Sequence, residues 1–250
     1  MKTPLANRTI AGRALAQDLL RMAFAGPVVV LALPRGGVPI GAEVARALGA
    51  PLDLLLVRKI GAPWQRELAV AAVVDGQPPD IVVDAETMAA TGVDDDYIQA
   101  QAKHELREIE RRRGVYLRGR APVPVAGATV IVVDDGIATG TTVRAALKAL
   151  RRRNPARLVL AVPVAPSDTL ALLRAEVDDI VCLAEPYPFH AIGLHYADFH
   201  QVSDDEVLAA LDAANAPAAQ PCGQRARGRP GVRTAAALRS RPSVLARTPP

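Results

Sequence analysis

Aromatic side chains are scarce: one Trp, four Tyr and three Phe make up 3% of 250 residues. Half the residues are hydrophobic, so a sizeable core must be built from Val, Leu, Ile and Ala. Cysteine is nearly absent. Cys182 lies in an apolar run, Cys222 lies in a Pro/Arg-rich stretch, and no CxxC pair exists. A disulfide framework and a thiolate zinc site are thereby excluded. No apolar run reaches the roughly 18 residues that a membrane span requires. Residues 1–13 lack a signal peptide's apolar stretch and cleavage site. These absences predict a cytoplasmic protein with no membrane partner.

Acids and lysine are missing from residues 216–250, which carry seven arginines. Taking those seven charges from the net +4 leaves the first 215 residues at −3. The folded part is therefore not basic, and an argument for nucleic acid as a partner would rest on the tail alone. The tail is rich in Pro, Ala, Arg, Gly and Ser, a composition that predicts disorder. The expected organisation is one domain over 1–215 followed by a 216–250 tail.

What the chain does have is an alternation of short apolar runs and helix-like stretches. Strands are predicted at 28–33, 52–57, 69–74, 81–83, 130–133, 158–162 and 179–183. Helices are predicted at 11–23, 38–48, 94–113, 141–153, 168–176 and 204–214. Several strands are continuously apolar, as strands buried on both faces of a parallel sheet are. The predicted fold class is α/β: an open, mainly parallel sheet flanked by helices.

The segment 129–142, TVIVVDDGIATGTT, runs from an apolar strand through two carboxylates and a small loop into a helix. Gly136, Ala138 and Gly140 keep side chains out of the loop, so backbone N–H groups can face an anion. Thr139, Thr141 and Thr142 add hydroxyl donors, and the helix start adds its positive end. A phosphate monoester suits that cradle. Asp134 and Asp135 would repel phosphate, but they suit a sugar diol or Mg²⁺. Phosphate cradle and diol acceptors together describe a ribose 5-phosphate site. GxxxxGK[ST], strand-linked GxGxxG and GxSxG are all absent.

This segment resembles the signature of type I phosphoribosyltransferases. Pro34-Arg35-Gly36-Gly37 resembles the family's pyrophosphate loop, and Arg58-Lys59 stands where relatives place a basic residue near pyrophosphate. The likeness covers roughly residues 11–211. It extends to a bacterial group of undefined substrate sharing PRGGVPIG-like, RKIG-like and Tyr-Pro-Phe segments. The resemblance implies binding of 5-phosphoribosyl-1-pyrophosphate (PRPP) with Mg²⁺ held at Asp134 and Asp135. Arg35, Gly36, Gly37, Arg58, Lys59 and residues 138–142 would complete the PRPP site. Arg35, Lys59, Asp134 and Asp135 would serve catalysis. The implied reaction passes ribose 5-phosphate to a nitrogenous acceptor and releases pyrophosphate. A non-catalytic PRPP- or nucleotide-binding regulator is the alternative, and a phosphohydrolase or phosphorylase is a third class. Related enzymes are often dimers, so a homodimer is an implied partner.

Ala138 stands where relatives acting on 6-oxopurines place an acid, which counts against such a substrate. The variable hood that selects the acceptor in this family would be 185–200, EPYPFHAIGLHYADFH, with Tyr187 and Phe189 as stacking candidates. Sealing the C-terminal core is an equal reading of those side chains. His190, His195 and His200 are spaced five apart, a poor zinc pattern. Residues 61–68, GAPWQREL, and the charged helix after Asp94 are both candidates to close over the site.

Overall fold

A computed structural model of the chain describes residues 4–76 and 78–216. Apart from Ala216, the predicted Pro/Arg-rich tail lies outside the described residues, as does Cys222. The first helix, α1 (Arg8–Leu20), starts earlier than its apolar pattern suggests, because the Asn7 side chain accepts the Ile10 N–H and caps it. A βαβ unit follows: β1 (Val28–Ala32), α2 (Gly37–Leu48) and β2 (Leu52–Leu54). Next come β3 (Val57–Ala62), β4 (Gln65–Val74) and β5 (Asp80–Val83), then α3 (Ala85–Thr91) and α4 (Asp95–Leu117). The chain returns through β6 (Thr129–Val133), α5 (Thr141–Arg151), β7 (Arg157–Val164), α6 (Ser167–Leu173), β8 (Asp179–Ala184) and α7 (Asp204–Ala214).

The main sheet has the order β2-β1-β6-β7-β8, and every neighbouring pair is parallel. Alternate side chains enter two cores. Val30, Ala32, Ile131 and Val133 face the core shared with α1, α2 and α7. Val29, Leu31, Val130 and Val132 face the core shared with α5 and α6. Burial on both faces is why these strands read as unbroken apolar runs.

The predicted strand at 52–57 is two strands. Leu52–Leu54 pairs with β1, while Val57 begins an antiparallel pairing with Val74. Between them Leu55 and Leu56 drop into opposite cores. An uninterrupted apolar run carries no sign of that change of partner. A second sheet, β3-β4-β5, is antiparallel throughout. Residues 61–68 form the outer end of the β3–β4 hairpin, where Ala62 pairs with Gln65 and Trp64 is exposed at the tip. Helix α3 has no counterpart among the predicted helices; Asp84 caps it by accepting the Thr87 N–H, and none of its residues is buried.

β1 and β6 are neighbours, yet β1 leads into a helix on one face and β6 into a helix on the other. Their carboxyl ends therefore diverge and open a crevice, the position where open α/β sheets bind ligands. The PRGG turn and the DDGIATG turn both lie at that crevice.

Candidate active site

The two turns are brought together by close backbone packing. Leu33 N–H donates to the Val133 carbonyl at 2.9 Å, and Gly37 N–H donates to the Leu33 carbonyl at 3.0 Å. A Cβ on Gly37 would lie 2.6 Å from the Val133 carbonyl oxygen. A Cβ on Gly36 would overlap the Asp135 carboxylate. These glycines thus make room for the neighbouring aspartate turn, a requirement the sequence does not separate from close approach to a ligand. The Pro34–Arg35 peptide is cis.

At the other turn, Gly140 adopts φ 76° and ends in the left-handed region, where a Cβ would also press on the Thr169 methyl at 2.9 Å. It is the N-cap of α5, and no side chain caps that helix. The first amides of α5 therefore lack the side-chain partner that Asn7 supplies for α1. Ala138, Thr139 and Thr141 are exposed, while Thr142 is half-buried. Thr169 donates its hydroxyl to the Ala138 carbonyl at 2.8 Å, which braces the loop from behind. The result is an uncapped and solvent-facing helix start suited to an anion.

Asp134 is half-buried, and its carboxylate accepts the Asp135 N–H at 2.8 Å. It lines a cavity of about 150 Å³ together with Pro34, Arg58, Arg112 and Thr142. Burial and the adjacent Asp135 charge raise the Asp134 carboxyl well above the ordinary carboxylate range. Asp135 is buried, and its Oδ2 receives the Arg8 guanidinium from Nε at 2.9 Å and from Nη2 at 2.8 Å. Burial raises its pKa too, and Arg8 opposes that shift. Neither aspartate points into bulk solvent. A hard cation would meet carboxylate oxygens here, with Arg8 occupying one oxygen of Asp135, so ligand and water oxygens would have to complete its shell. Among the described residues no group of three or more His, Cys, Asp or Glu forms a ready-made metal site.

The cations of the site rest on carboxylates. Arg58 Nε lies 2.7 Å from Glu105, Arg112 Nε 2.8 Å from Glu108, Lys59 Nζ 3.6 Å from Glu67 and Arg35 3.6 Å from Asp204. Asp204 also accepts the Tyr116 hydroxyl at 2.6 Å, and burial with that bond pushes the phenol up to about 12. Of the four cations, Arg58 and Arg112 border the Asp134 cavity; Arg35 and Lys59 do not line it. Arg112 belongs to the charged helix α4. It pairs with Glu108 one helical turn before it, as i,i+4 spacing favours, and the same side chain also borders the site. Arg8, Tyr196 and Asp204 are further additions. Arg8 and Asp204 had no local signal, because each acts across the fold; Tyr196 lay within the hood segment, but its partner Asp135 could not be read from it.

The hood reaches the signature turn through Ile192 and Tyr196. Tyr187 is 98% exposed, and Phe189 stacks on His195 with centroids 5.1 Å apart. Ile192 lies over Gly136, where a Cβ would come within 2.6 Å of its Cγ2. Tyr196 donates its hydroxyl to the Asp135 carbonyl at 2.6 Å. His200 bridges Asp198 and Glu206, and those two carboxylates raise its pKa.

Residues 4–197 match the phosphoribosyl transferase domain family. The chain belongs to that family, with the type I fold. Two Mycobacterium tuberculosis proteins, MT0597 of strain CDC 1551 and Rv0571c of strain H37Rv, carry provisional phosphoribosyl transferase names. Each is 44% identical over 209 residues, 84% of this chain and 46% of its own length. The chain thus spans about half the length of these curated relatives. The crystal structure of TT1426 from Thermus thermophilus is 38% identical with a TM-score of 0.74, covering 84% of this chain and 98% of that one. Among the described residues no helix is long and apolar enough to cross a membrane.

Proposed function

We propose that the protein binds PRPP with Mg²⁺ and transfers its ribose 5-phosphate to a nitrogenous acceptor, releasing pyrophosphate. The observation that carries this reading is the uncapped start of α5 beside a cavity bordered by the Asp134 carboxylate and two arginines. The amides and hydroxyls of residues 138–142 receive the 5-phosphate. Asp134 and Asp135 accept the ribose hydroxyls and supply oxygens to Mg²⁺. Pyrophosphate is the leaving group, and Arg35, Arg58, Lys59 and Arg112 face it once they exchange their carboxylate partners. Charge builds on that group as the C1–oxygen bond breaks, so cations placed there act where charge develops. Bound Mg²⁺ would neutralise part of the same charge. The β3–β4 hairpin and α4 carry three of these four cations and are the elements to close over the leaving group. The acceptor enters from the side of the hood, 185–200. The 1–215 domain is the working unit, in the cytoplasm.

The test is calorimetric titration of PRPP with Mg²⁺, followed by pyrophosphate release across a pool of bases. Binding with release that depends on one base is the expected outcome. Binding without turnover on any acceptor would make the protein a PRPP-binding regulator, and absence of binding would remove the reading.

A further inference from the structure

Asp135 is gripped from behind by a residue that lies 127 positions away in the chain. Arg8 is 8% exposed, and each of its guanidinium nitrogens has a task. Nε and Nη2 both converge on Asp135 Oδ2, at 2.9 and 2.8 Å. Nη1 donates to the His200 carbonyl at 2.8 Å. The guanidinium carbon lies over the Phe199 ring, 3.9 Å from its centroid. The segment before it runs alongside the hood, with Leu5 N–H bonded to the His195 carbonyl at 2.8 Å and Ala197 N–H bonded to the Leu5 carbonyl at 2.7 Å.

We infer that Arg8 is a positioning residue for the ribose: it fixes the Asp135 carboxylate through one oxygen and ties it to the hood. This inference rests on the PRPP reading of the site. The convergence on Oδ2 is the telling detail. A salt bridge serving stability alone would gain most from the parallel two-oxygen fork that Arg and carboxylate favour. Here both donors use one oxygen, and Arg8 makes no claim on Oδ1. The third nitrogen and the ring face hold the guanidinium against rotation, so the carboxylate plane is set by the hood and by α1 together. Tyr196, from the same hood, holds the Asp135 carbonyl at 2.6 Å. A ribose hydroxyl bound at Asp135 is thereby coupled to the segment expected to receive the acceptor. Arg8 itself touches neither.

The decisive comparison is between two ligands, one with a ribose and one without. Affinities for PRPP and for inorganic pyrophosphate, each with Mg²⁺, are measured by calorimetry on wild type, Arg8→Gln, Arg8→Lys, Asp135→Asn and the Arg8→Gln/Asp135→Asn pair. Arg8→Gln is expected to weaken PRPP by about tenfold or more, the loss of one charge-assisted contact, and to leave pyrophosphate within about twofold. Arg8→Lys, which keeps the charge but not the planar fork, should fall between the two. Adding Arg8→Gln to Asp135→Asn should change PRPP affinity no further. Equal weakening of both ligands, or of neither, would overturn the positioning role while leaving the site reading intact. Failure of wild type to bind PRPP would remove the site reading and this inference with it. If Arg8→Gln does not fold, Arg8→Lys decides: wild-type PRPP affinity there refutes the role, and a loss confined to PRPP supports it.

Discussion

The two walls of the crevice are built on opposite principles. At the start of α5 the backbone donors have no side-chain partner: Gly140 sets the turn, Thr169 braces it, and no side chain caps the helix. Across from it, on the hairpin and α4, the donors are cationic, and each already has a carboxylate partner. The first wall loses little on binding an anion, because nothing must be displaced. The second must exchange partners, so its contribution is a difference between two ion pairs and is small per residue. On the proposed reading, the helix start anchors the phosphate and the paired cations answer to charge on the leaving group.

Four changes would break or sharpen that contrast, in decreasing order of effect. Gly140→Ala forces a side chain into a backbone at φ 76° and against Thr169. Denaturant unfolding should show a loss of about 2 kcal/mol, and PRPP affinity should fall by roughly a hundredfold. Unaltered affinity would mean that the α5 start is not the phosphate cradle.

Asp134→Asn should divide binding from stability. Its carboxyl pKa is raised in the folded protein, so this group stabilises the fold most below the ordinary carboxylate pKa. That contribution disappears as pH rises through the elevated folded value. In Mg²⁺-free buffer the variant should be more stable than wild type by about 1 kcal/mol at neutral pH, and the gap should close towards pH 4. PRPP binding should nonetheless drop by about tenfold. A variant less stable than wild type at neutral pH would contradict the burial argument.

On the second wall, Glu105→Gln releases Arg58 from its 2.7 Å partner. Inorganic pyrophosphate should bind roughly two- to fivefold tighter, with a steeper dependence on salt. Weaker binding would show that Glu105 orients Arg58 rather than competing for it. The smallest effect is expected at Tyr187, which is almost wholly exposed. Tyr187→Ala should leave melting temperature and PRPP affinity unchanged and alter only acceptor use. A fall in PRPP affinity would place the hood tip at the donor site.

The legible parts of this protein are the contiguous ones. Residues 129–142 carry strand, acids, turn and helix start in a single stretch, so that arrangement could be read before any fold was known. The PRGG turn was readable as an anion loop, but not that Gly36 makes room for Asp135. The division of 52–57 between two sheets was invisible because both halves are apolar and buried. Arg112 could be paired with Glu108 from helical spacing, while its second face on the Asp134 cavity could not. Arg8 fell outside the predicted first helix, which the Asn7 cap extends to include it.

By itself the sequence determined a parallel α/β sheet and the two turns, PRGG and DDGIATG, that lie at its carboxyl edge. Those follow from periodicity and from residues adjacent in the chain, where burial and backbone freedom are encoded locally. Tertiary structure alone decided that Arg58 rests on Glu105 and Arg35 on Asp204, which oxygen of Asp135 is taken and which hood side chains meet the signature turn. Those depend on packing between segments separated along the chain, by 47 residues for Arg58 and Glu105 and by 127 for Arg8 and Asp135, and no local pattern specifies the distance between them.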